Sequence, residues 1–287
     1  MKEFVSIILP AHNEEEALGT DIDLIRKTMK EANIDYELIV VDDGSKDRTA
    51  EIAKQKGAIL IQHKVNRGVG AARKTGILNA KSNIVITTDA DATYPNQDIP
   101  KLLEYIGEYD MVIGARIGEN AIKESLIRRI PKFLIRKLAS YMSRTKIPDL
   151  NSGLRVIRKD VALKYFYLLP DSHSWESTIT LAFLCNGQQV KFIPIDYYKR
   201  KGKSTFHPIN DTYNYIFLTI RTIMYFNPLR IFLPVSLLVL LIGLAKGTYD
   251  FIMFNSLGEF DVLAIIAAIL IVMMGLLADL IVIQHKK

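Results

Sequence analysis

Short apolar runs alternate with amphipathic segments over the first two thirds of the chain, and two long apolar runs close it. Phe4-Val5-Ser6-Ile7-Ile8-Leu9 reads as a buried strand that Pro10 closes, since proline cannot continue the ladder. Asn13-Glu14-Glu15-Glu16 then opens a helix with acids in its first turn. A second buried strand covers 36–41, a helix capped by Ser45 covers 46–56, and Gly57 ends it. Further strands are predicted over 58–62, 83–88 and 111–114, with helices over 69–80 and 98–106. Beyond a different, basic stretch, strands over 151–158 and 190–198 flank a helix over 174–186. Strands alternating with helices of this length build an α/β fold with a mostly parallel sheet.

The last apolar run, 262–283, is long enough to span a bilayer, and its one charge, Asp279, lies near its end. Before it, 231–245 carries no charge, and Lys246 and Asp250 interrupt the continuation to Phe254. Arg221, Arg230, Lys286 and Lys287 flank the outer ends, whereas the connector holds Asp250, Glu259 and Asp261. The positive-inside rule then puts both termini on the cytoplasmic side of a hairpin. Residues 209–227 carry Tyr213, Tyr215, Phe217, Tyr225 and Phe226, which suits the headgroup level. The expected organisation is a cytoplasmic catalytic domain over 1–208, an interfacial helix over 209–227 and a hairpin over 228–287 with spans of about 230–252 and 262–283. The opening Met1-Lys2-Glu3-Phe4 has no apolar stretch of signal-peptide type, in keeping with a cytoplasmic domain.

Composition adds charge to this picture. The net charge of +6, with a pI of about 9.1, is compatible with nucleic acid, anionic lipid or phosphorylated ligands. No nucleic-acid recognition motif is present, and the basic residues lie next to the membrane segments, so nucleic acid is not expected as a partner. Much of the charge sits in a predicted basic amphipathic helix over 124–144, where Arg128, Arg129, Lys132, Arg136, Lys137 and Arg144 alternate with Leu126, Ile130, Phe133 and Leu134. By itself such a helix is most simply a solvated surface face. The lone Cys185 excludes an internal disulfide and reads as a core residue.

The chemistry gathers at predicted strand ends. Thr87-Thr88-Asp89-Ala90-Asp91-Ala92-Thr93-Tyr94-Pro95 sets two carboxylates where the strand over 83–88 gives way to a loop. Ligands bind at that edge of an open α/β sheet. Oxygen-only donors suit Mg²⁺ or Mn²⁺ carrying a diphosphate; taken alone, the stretch is equally compatible with a turn. Asn13-Glu14 and Asp42-Asp43 end two earlier strands, so a nucleotide lying along the edge would meet all three acidic stations in turn. Asp43 would accept from a base or ribose, with Asp89 and Asp91 serving sugar and metal. Gly68-Val69-Gly70-Ala71-Ala72-Arg73 imitates a dinucleotide fingerprint, but it does not follow the first strand and Arg73 replaces the third glycine.

Pro10-Ala11-His12-Asn13-Glu14, Val41-Asp42-Asp43-Gly44-Ser45, Asn66-Arg67-Gly68-x-Gly70-x-Ala72 and Asp89-Ala90-Asp91 occur in this order. Together they resemble the family 2 glycosyltransferases of GT-A fold over about residues 4–205, nearest to the branch of dolichol-phosphate mannose synthase and polyprenyl-phosphate glycosyltransferases. Gly114-Ala115-Arg116, Asn151-Ser152-Gly153-Leu154-Arg155 and the cationic loop from Arg200 to Ser204 extend the likeness. The resemblance implies that Pro10, His12, Glu14, Val41, Asp43, Asp89, Ala90 and Asp91 hold the nucleotide sugar, with Arg116, Arg200 and Lys203 on its phosphates. It implies Asp89, Asp91 and Arg116 as the catalytic set, and Arg116, Arg128 and Lys132 on an acceptor phosphate. Asp91 would bind Mg²⁺ or Mn²⁺; Thr93 stands where the branch has a ligating Gln, and His12 replaces a commoner Tyr. No Gln-x-x-Arg-Trp of processive polymerases is present.

The expected reaction is inverting transfer of a hexose from a GDP-mannose- or UDP-glucose-type donor to a dolichyl or undecaprenyl phosphate, in a membrane-bound enzyme. Such an acceptor is already anionic near neutral pH and needs no strong base. A non-phosphate acceptor, or a non-catalytic scaffold that binds nucleotide sugar, are the competing readings, and a homo-oligomer is left open.

Overall fold

The computed structural model describes residues 4–118, 133, 136–141, 143–172, 174–200, 224, 225 and 227–285. The chain divides into two compact units, Met1–Thr219 and Ile220–Lys287. The first is a seven-stranded sheet in the order β3-β2-β1-β4-β6-β5-β7. Its strands are β1 (Val5–Ala11), β2 (Tyr36–Asp42), β3 (Ile59–Gln62), β4 (Ile84–Thr87), β5 (Met111–Ala115), β6 (Arg155–Arg158) and β7 (Val190–Pro194). All pairings are parallel except those of β6, which runs antiparallel between β4 and β5. Among the described residues the helices of this unit include α1 (Leu18–Glu31), α2 (Thr49–Gln55), α3 (Val69–Asn79), α4 (Ile99–Leu103), α5 (Lys159–Leu163) and α6 (Trp175–Cys185).

Continuous apolar runs make β1, β2 and β4 central strands, with Ile7, Ile8, Leu9, Val40, Val41, Val85 and Ile86 fully buried. Helix α1 turns Leu18, Ile22, Ile25 and Met29 onto one face of them. Strand β1 lies between β2 and β4, so the connections diverge there and open a crevice at its carboxyl end.

Several predicted boundaries move, each for a local reason. Strand β1 runs through Pro10 to Ala11. The Ile8 carbonyl accepts from Thr88 N–H on the β4 side. Two residues on, the Pro10 nitrogen faces that same side, past the last β4 pairing, where no donor is needed. Helix α1 starts at Leu18 instead of near Asn13, because Asn13 is left-handed (φ 55°) and Glu14–Ala17 form a turn. Ser45 does not cap α2; its hydroxyl accepts from Asn13 N–H, and Asp47 takes Thr49 N–H at 3.0 Å instead. Helix α4 is shorter than predicted and preceded by a 3₁₀ turn, Asn96–Asp98.

The second unit is a helical pair, α7 (Leu229–Phe254) and α8 (Glu259–His285). At 26 and 27 residues, each reaches about 39–40 Å, beyond the ~30 Å hydrocarbon core of a bilayer. Both are long and apolar enough to be transmembrane helices, and most of their large side chains point outward. Close approach depends on small residues: a Cβ on Gly243 would lie 2.9 Å from the Ala264 Cβ, and Ser236 Oγ donates to the Ala268 carbonyl at 2.9 Å. Lys246 and Asp250 do not interrupt α7. Lys246 Nζ pairs with Asp250 at 2.5 Å and with Asp261 of α8 at 3.4 Å. Asp250 and Asp261, expected in the connector, therefore lie inside helices, and the turn is 255–258. Most of the predicted interfacial helix over 209–227 and most of the basic helix over 124–144 lie outside the described residues.

Candidate active site

The carboxyl ends of β1, β2, β4 and β5 meet the start of antiparallel β6 along one edge. Two loops there are cross-linked. Asn13 N–H donates to Ser45 Oγ at 2.9 Å, Lys46 N–H to Asn13 Oδ1 at 2.8 Å, and Glu14 N–H to Thr49 Oγ1 at 2.9 Å. Pro10 and Val41 are register partners beneath them. The His12 ring is half-buried, with Nδ1 at 2.9 Å from the Asp43 carbonyl.

Asp43 is almost wholly buried. Its Oδ1 bonds His63 Nδ1 at 2.6 Å and Arg67 N–H at 3.0 Å, and its Oδ2 takes Gly68 N–H at 2.8 Å. His63 Nε2 lies 2.9 Å from Thr75 Oγ1. Asp43 thus organises the loop before α3, and Asp42 binds Ser45 N–H and Gln62. The decoy glycines have a packing role. A Cβ on Gly68 would lie 2.3 Å from the Asp171 carbonyl oxygen, and one on Gly70 2.3 Å from that of Pro170.

Beyond β4, Asp89 and Asp91 emerge around buried Ala90. Ala92 is left-handed, at φ 60°. Asp21 of α1 holds it there: Ala92 N–H donates to Asp21 Oδ2 at 2.8 Å, and Asn96 Nδ2 to Asp21 Oδ1 at 2.9 Å. Thr93 is buried, and its hydroxyl donates to Asp91 Oδ1 at 2.5 Å, so it orients Asp91. Tyr94 is buried too, and its hydroxyl accepts Gly153 N–H at 2.7 Å.

Arg200 brings the first and fourth strand ends together, pairing with Glu14 and lying 3.5 Å from Asp91 Oδ2. The local charge is unbalanced. Burial pushes the Glu14 carboxyl up to about 8, against Arg200, with Asp91 and Asp89 adding to the rise. Asp21 is pushed up to about 7 by burial and by the same aspartates. Burial and repulsion from Asp89 also raise Asp91. Crowded carboxylates of this kind suit an oxygen-liganded divalent cation. No three of His, Cys, Asp and Glu converge on one point among the described residues. Asp89 and Asp91 are the carboxylates of this edge that could hold such an ion.

Arg116, just past β5, meets Asp149: Nε donates to Oδ2 at 2.7 Å and Nη2 to Oδ1 at 2.9 Å. Its guanidinium also lies 5.1 Å from the centre of the Tyr197 ring. Burial alone would raise Asp149, but Arg116 and two backbone N–H groups hold it well below the usual carboxylate range. Arg128, Lys132 and Lys203 lie outside the described residues. Sequence reasoning missed Asp21, His63, Asp149 and the buried Arg73. The first three lie far along the chain from the motifs they support, and Arg73 registered only as the residue that spoils a fingerprint.

This sheet order with acidic strand ends is the arrangement of a GT-A glycosyltransferase. The chain belongs to glycosyl transferase family 2, whose profile matches residues 6–166, and residues 227–282 match the GtrB C-terminal hairpin. It is therefore a glycosyltransferase with transmembrane helices. A dolichyl-phosphate hexose transferase of Haloferax volcanii is 32% identical over 71% of this chain and 87% of its own. An undecaprenyl-phosphate 4-deoxy-4-formamido-L-arabinose transferase of Edwardsiella ictaluri is 28% identical over 96% and 88%. Among solved structures, glucosyl-3-phosphoglycerate synthase of Mycobacterium tuberculosis with Mn²⁺, UDP-glucose and phosphoglyceric acid shares the fold at TM-score 0.60 and 20% identity, over 77% of this chain and 79% of that one.

Proposed function

We propose that the protein transfers a hexose from a nucleotide-diphosphate sugar to a polyprenyl phosphate at the cytoplasmic face of a membrane. The observation that carries this reading is the gathering of Glu14, Asp89, Asp91 and Arg200 at the switch point of the sheet, in a chain that also carries a membrane hairpin. The named relatives that act on dolichyl and undecaprenyl phosphates support the acceptor class. The Mn²⁺ in the glucosyl-3-phosphoglycerate synthase complex supports a divalent ion with the donor.

On this reading Pro10, His12, Val41 and the Asp43 loop form the floor for the nucleoside. Asp89 and Asp91 hold the donor through Mg²⁺ or Mn²⁺, which when bound screens the diphosphate charge and eases its departure. An acceptor phosphate oxygen attacks the anomeric carbon as the bond from that carbon to the diphosphate breaks, so the configuration inverts and a nucleoside diphosphate leaves. No proton need be removed, because the attacking oxygen is already an anion. The side chains must instead bring two anions together, a task for Arg116, Arg200 and Lys203 on the donor phosphates and for Arg116, Arg128 and Lys132 on the acceptor phosphate. In the described state Arg116 and Arg200 are paired with carboxylates, which keeps their guanidinium groups ordered for phosphate.

Purified protein with Mn²⁺ or Mg²⁺, UDP- and GDP-sugars and a polyprenyl phosphate should yield a lipid-linked sugar detectable by mass spectrometry. Product on a neutral lipid alcohol or glycan but none on the lipid phosphate would replace the acceptor assignment. Tight donor binding without turnover on any acceptor would favour a scaffold.

A further inference from the structure

Arg73 of α3 is 1% exposed. Its Nη2 donates to Asp89 Oδ1 at 2.6 Å, its Nη1 pairs with Glu176 at the start of α6, and its guanidinium lies 5.5 Å from the centre of the Trp175 ring. Glu176 is 6% exposed, so both members of that pair are buried. The backbone also comes close to the other Asp89 oxygen: a Cβ on Gly153 would lie 2.8 Å from Asp89 Oδ2. The Asp89 carboxylate is thus gripped between a guanidinium and a bare stretch of backbone.

The charge arrangement has a reason beyond packing. A buried arginine facing Asp89 alone would neutralise it. Glu176 supplies a second negative charge, which Arg73 shares with the buried Arg155, so Glu176 offsets part of the positive charge that Asp89 would otherwise face alone. The guanidinium reaches the two carboxylates through separate nitrogens, Nη2 toward Asp89 and Nη1 toward Glu176.

We propose that Arg73 and Glu176 are a positioning pair that fixes the Asp89 carboxylate while leaving its charge available to a divalent cation and the donor diphosphate. The proposal rests on the reading that Asp89 and Asp91 receive the metal-bound donor. It gives Glu176, 87 residues beyond Asp89 in sequence, a role in donor binding without contact to the donor.

The test uses the full chain in detergent. Mn²⁺ is titrated in the presence of UDP and, in parallel, GDP. Free Mn²⁺ is followed by its paramagnetic resonance, with Trp175 fluorescence as a second readout. The double variant Arg73→Met/Glu176→Gln keeps volume and net charge and removes the grip, and well-packed replacement of a buried ion pair preserves folding. Its Mn²⁺ Kd should rise at least tenfold with the thermal midpoint little changed. Glu176→Gln alone, which leaves Arg73 to neutralise Asp89, should weaken Mn²⁺ to a similar degree, and it decides the matter if the double variant does not fold. Folded variants that bind Mn²⁺ with nucleotide as the wild type does overturn the positioning role and leave the donor site standing. A wild type that binds no Mn²⁺ with either nucleotide overturns the donor-site reading, and the positioning role with it.

Discussion

Asp21 offers the sharpest quantitative test of how the aspartate loop is held. Both of its oxygens accept bonds, from Ala92 N–H and Asn96 Nδ2, and an asparagine at this site presents only one acceptor. Asp21→Asn therefore leaves a buried donor facing an amide N–H, at a cost of about 1–3 kcal/mol. The change also removes an ionisation. Raising the Asp21 pKa from 3.8 to about 7 corresponds to about 4 kcal/mol, at 1.36 kcal/mol per tenfold change in equilibrium. The sign follows from the raised value. Below 3.8 the acid is protonated in both states and its contribution is complete. As pH rises through 7 the folded chain must ionise a buried group, and that contribution is lost. Between pH 5 and 8 the wild type should lose about 2–3 kcal/mol that the variant does not. The variant's deficit at pH 5 should shrink by that amount at pH 8, or reverse. Trp175, the only tryptophan and fully buried, reports unfolding of the catalytic unit by fluorescence. Urea titrations at the two pH values should show the difference between midpoints changing by roughly 1 M. An equal deficit at pH 5 and pH 8 would refute the reasoning.

Other expectations follow from single contacts. Asp91→Ala should slow sugar transfer by about 10²–10³-fold with the unfolding midpoint preserved, and an unchanged turnover number would remove Asp91 from the metal site. Asp149→Asn leaves the partly buried Arg116 guanidinium without its counter-charge, so stability should fall by about 1–3 kcal/mol by urea titration. Because Asp149 is held low, the wild-type advantage should persist at neutral pH and fade only in acid. Gly153→Ala places a methyl 2.8 Å from Asp89 Oδ2, so donor KM should rise more than stability falls; equal donor KM for the two proteins would mean that Asp89 tolerates displacement.

What the sequence made legible was local. Runs such as Ser6-Ile7-Ile8-Leu9 and Asn83-Ile84-Val85-Ile86 declare central strands because both faces are apolar, and strand-end acids such as Glu14, Asp89 and Asp91 stand out beside them. The long apolar run over 262–283 required only counting. What stayed hidden depends on distant pairing. Nothing in Arg155-Val156-Ile157-Arg158 says that it enters antiparallel between β4 and β5. Asp21 looks like any acid in the first turn of a helix, until Ala92 is folded against it. Asp43 was visible as a strand-end carboxylate, yet its side chain turns inward to His63 and the Arg67-Gly68 backbone, which no spacing rule reveals. Pro10 misled at the boundary because its missing donor matters only where a neighbouring strand is present.

The antiparallel insertion of β6 has a consequence for biogenesis. Strand β4 ends at Thr87 and β6 begins at Arg155, so about 70 residues must be synthesised before β4 acquires its second neighbour. At 5–20 residues per second the ribosome needs roughly 4–14 s for that stretch. Throughout it, Ile84-Val85-Ile86 presents an open, apolar sheet edge of the kind that captures stray strands. The amino-terminal half, β3-β2-β1-β4, can form early from near neighbours. The other half must wait for a non-local closure, which is intrinsically slow. The nascent chain is thus most vulnerable to mispairing before the membrane hairpin has been made, and a chaperone that shields this edge would raise the yield of folded protein more than one that acts on the hairpin.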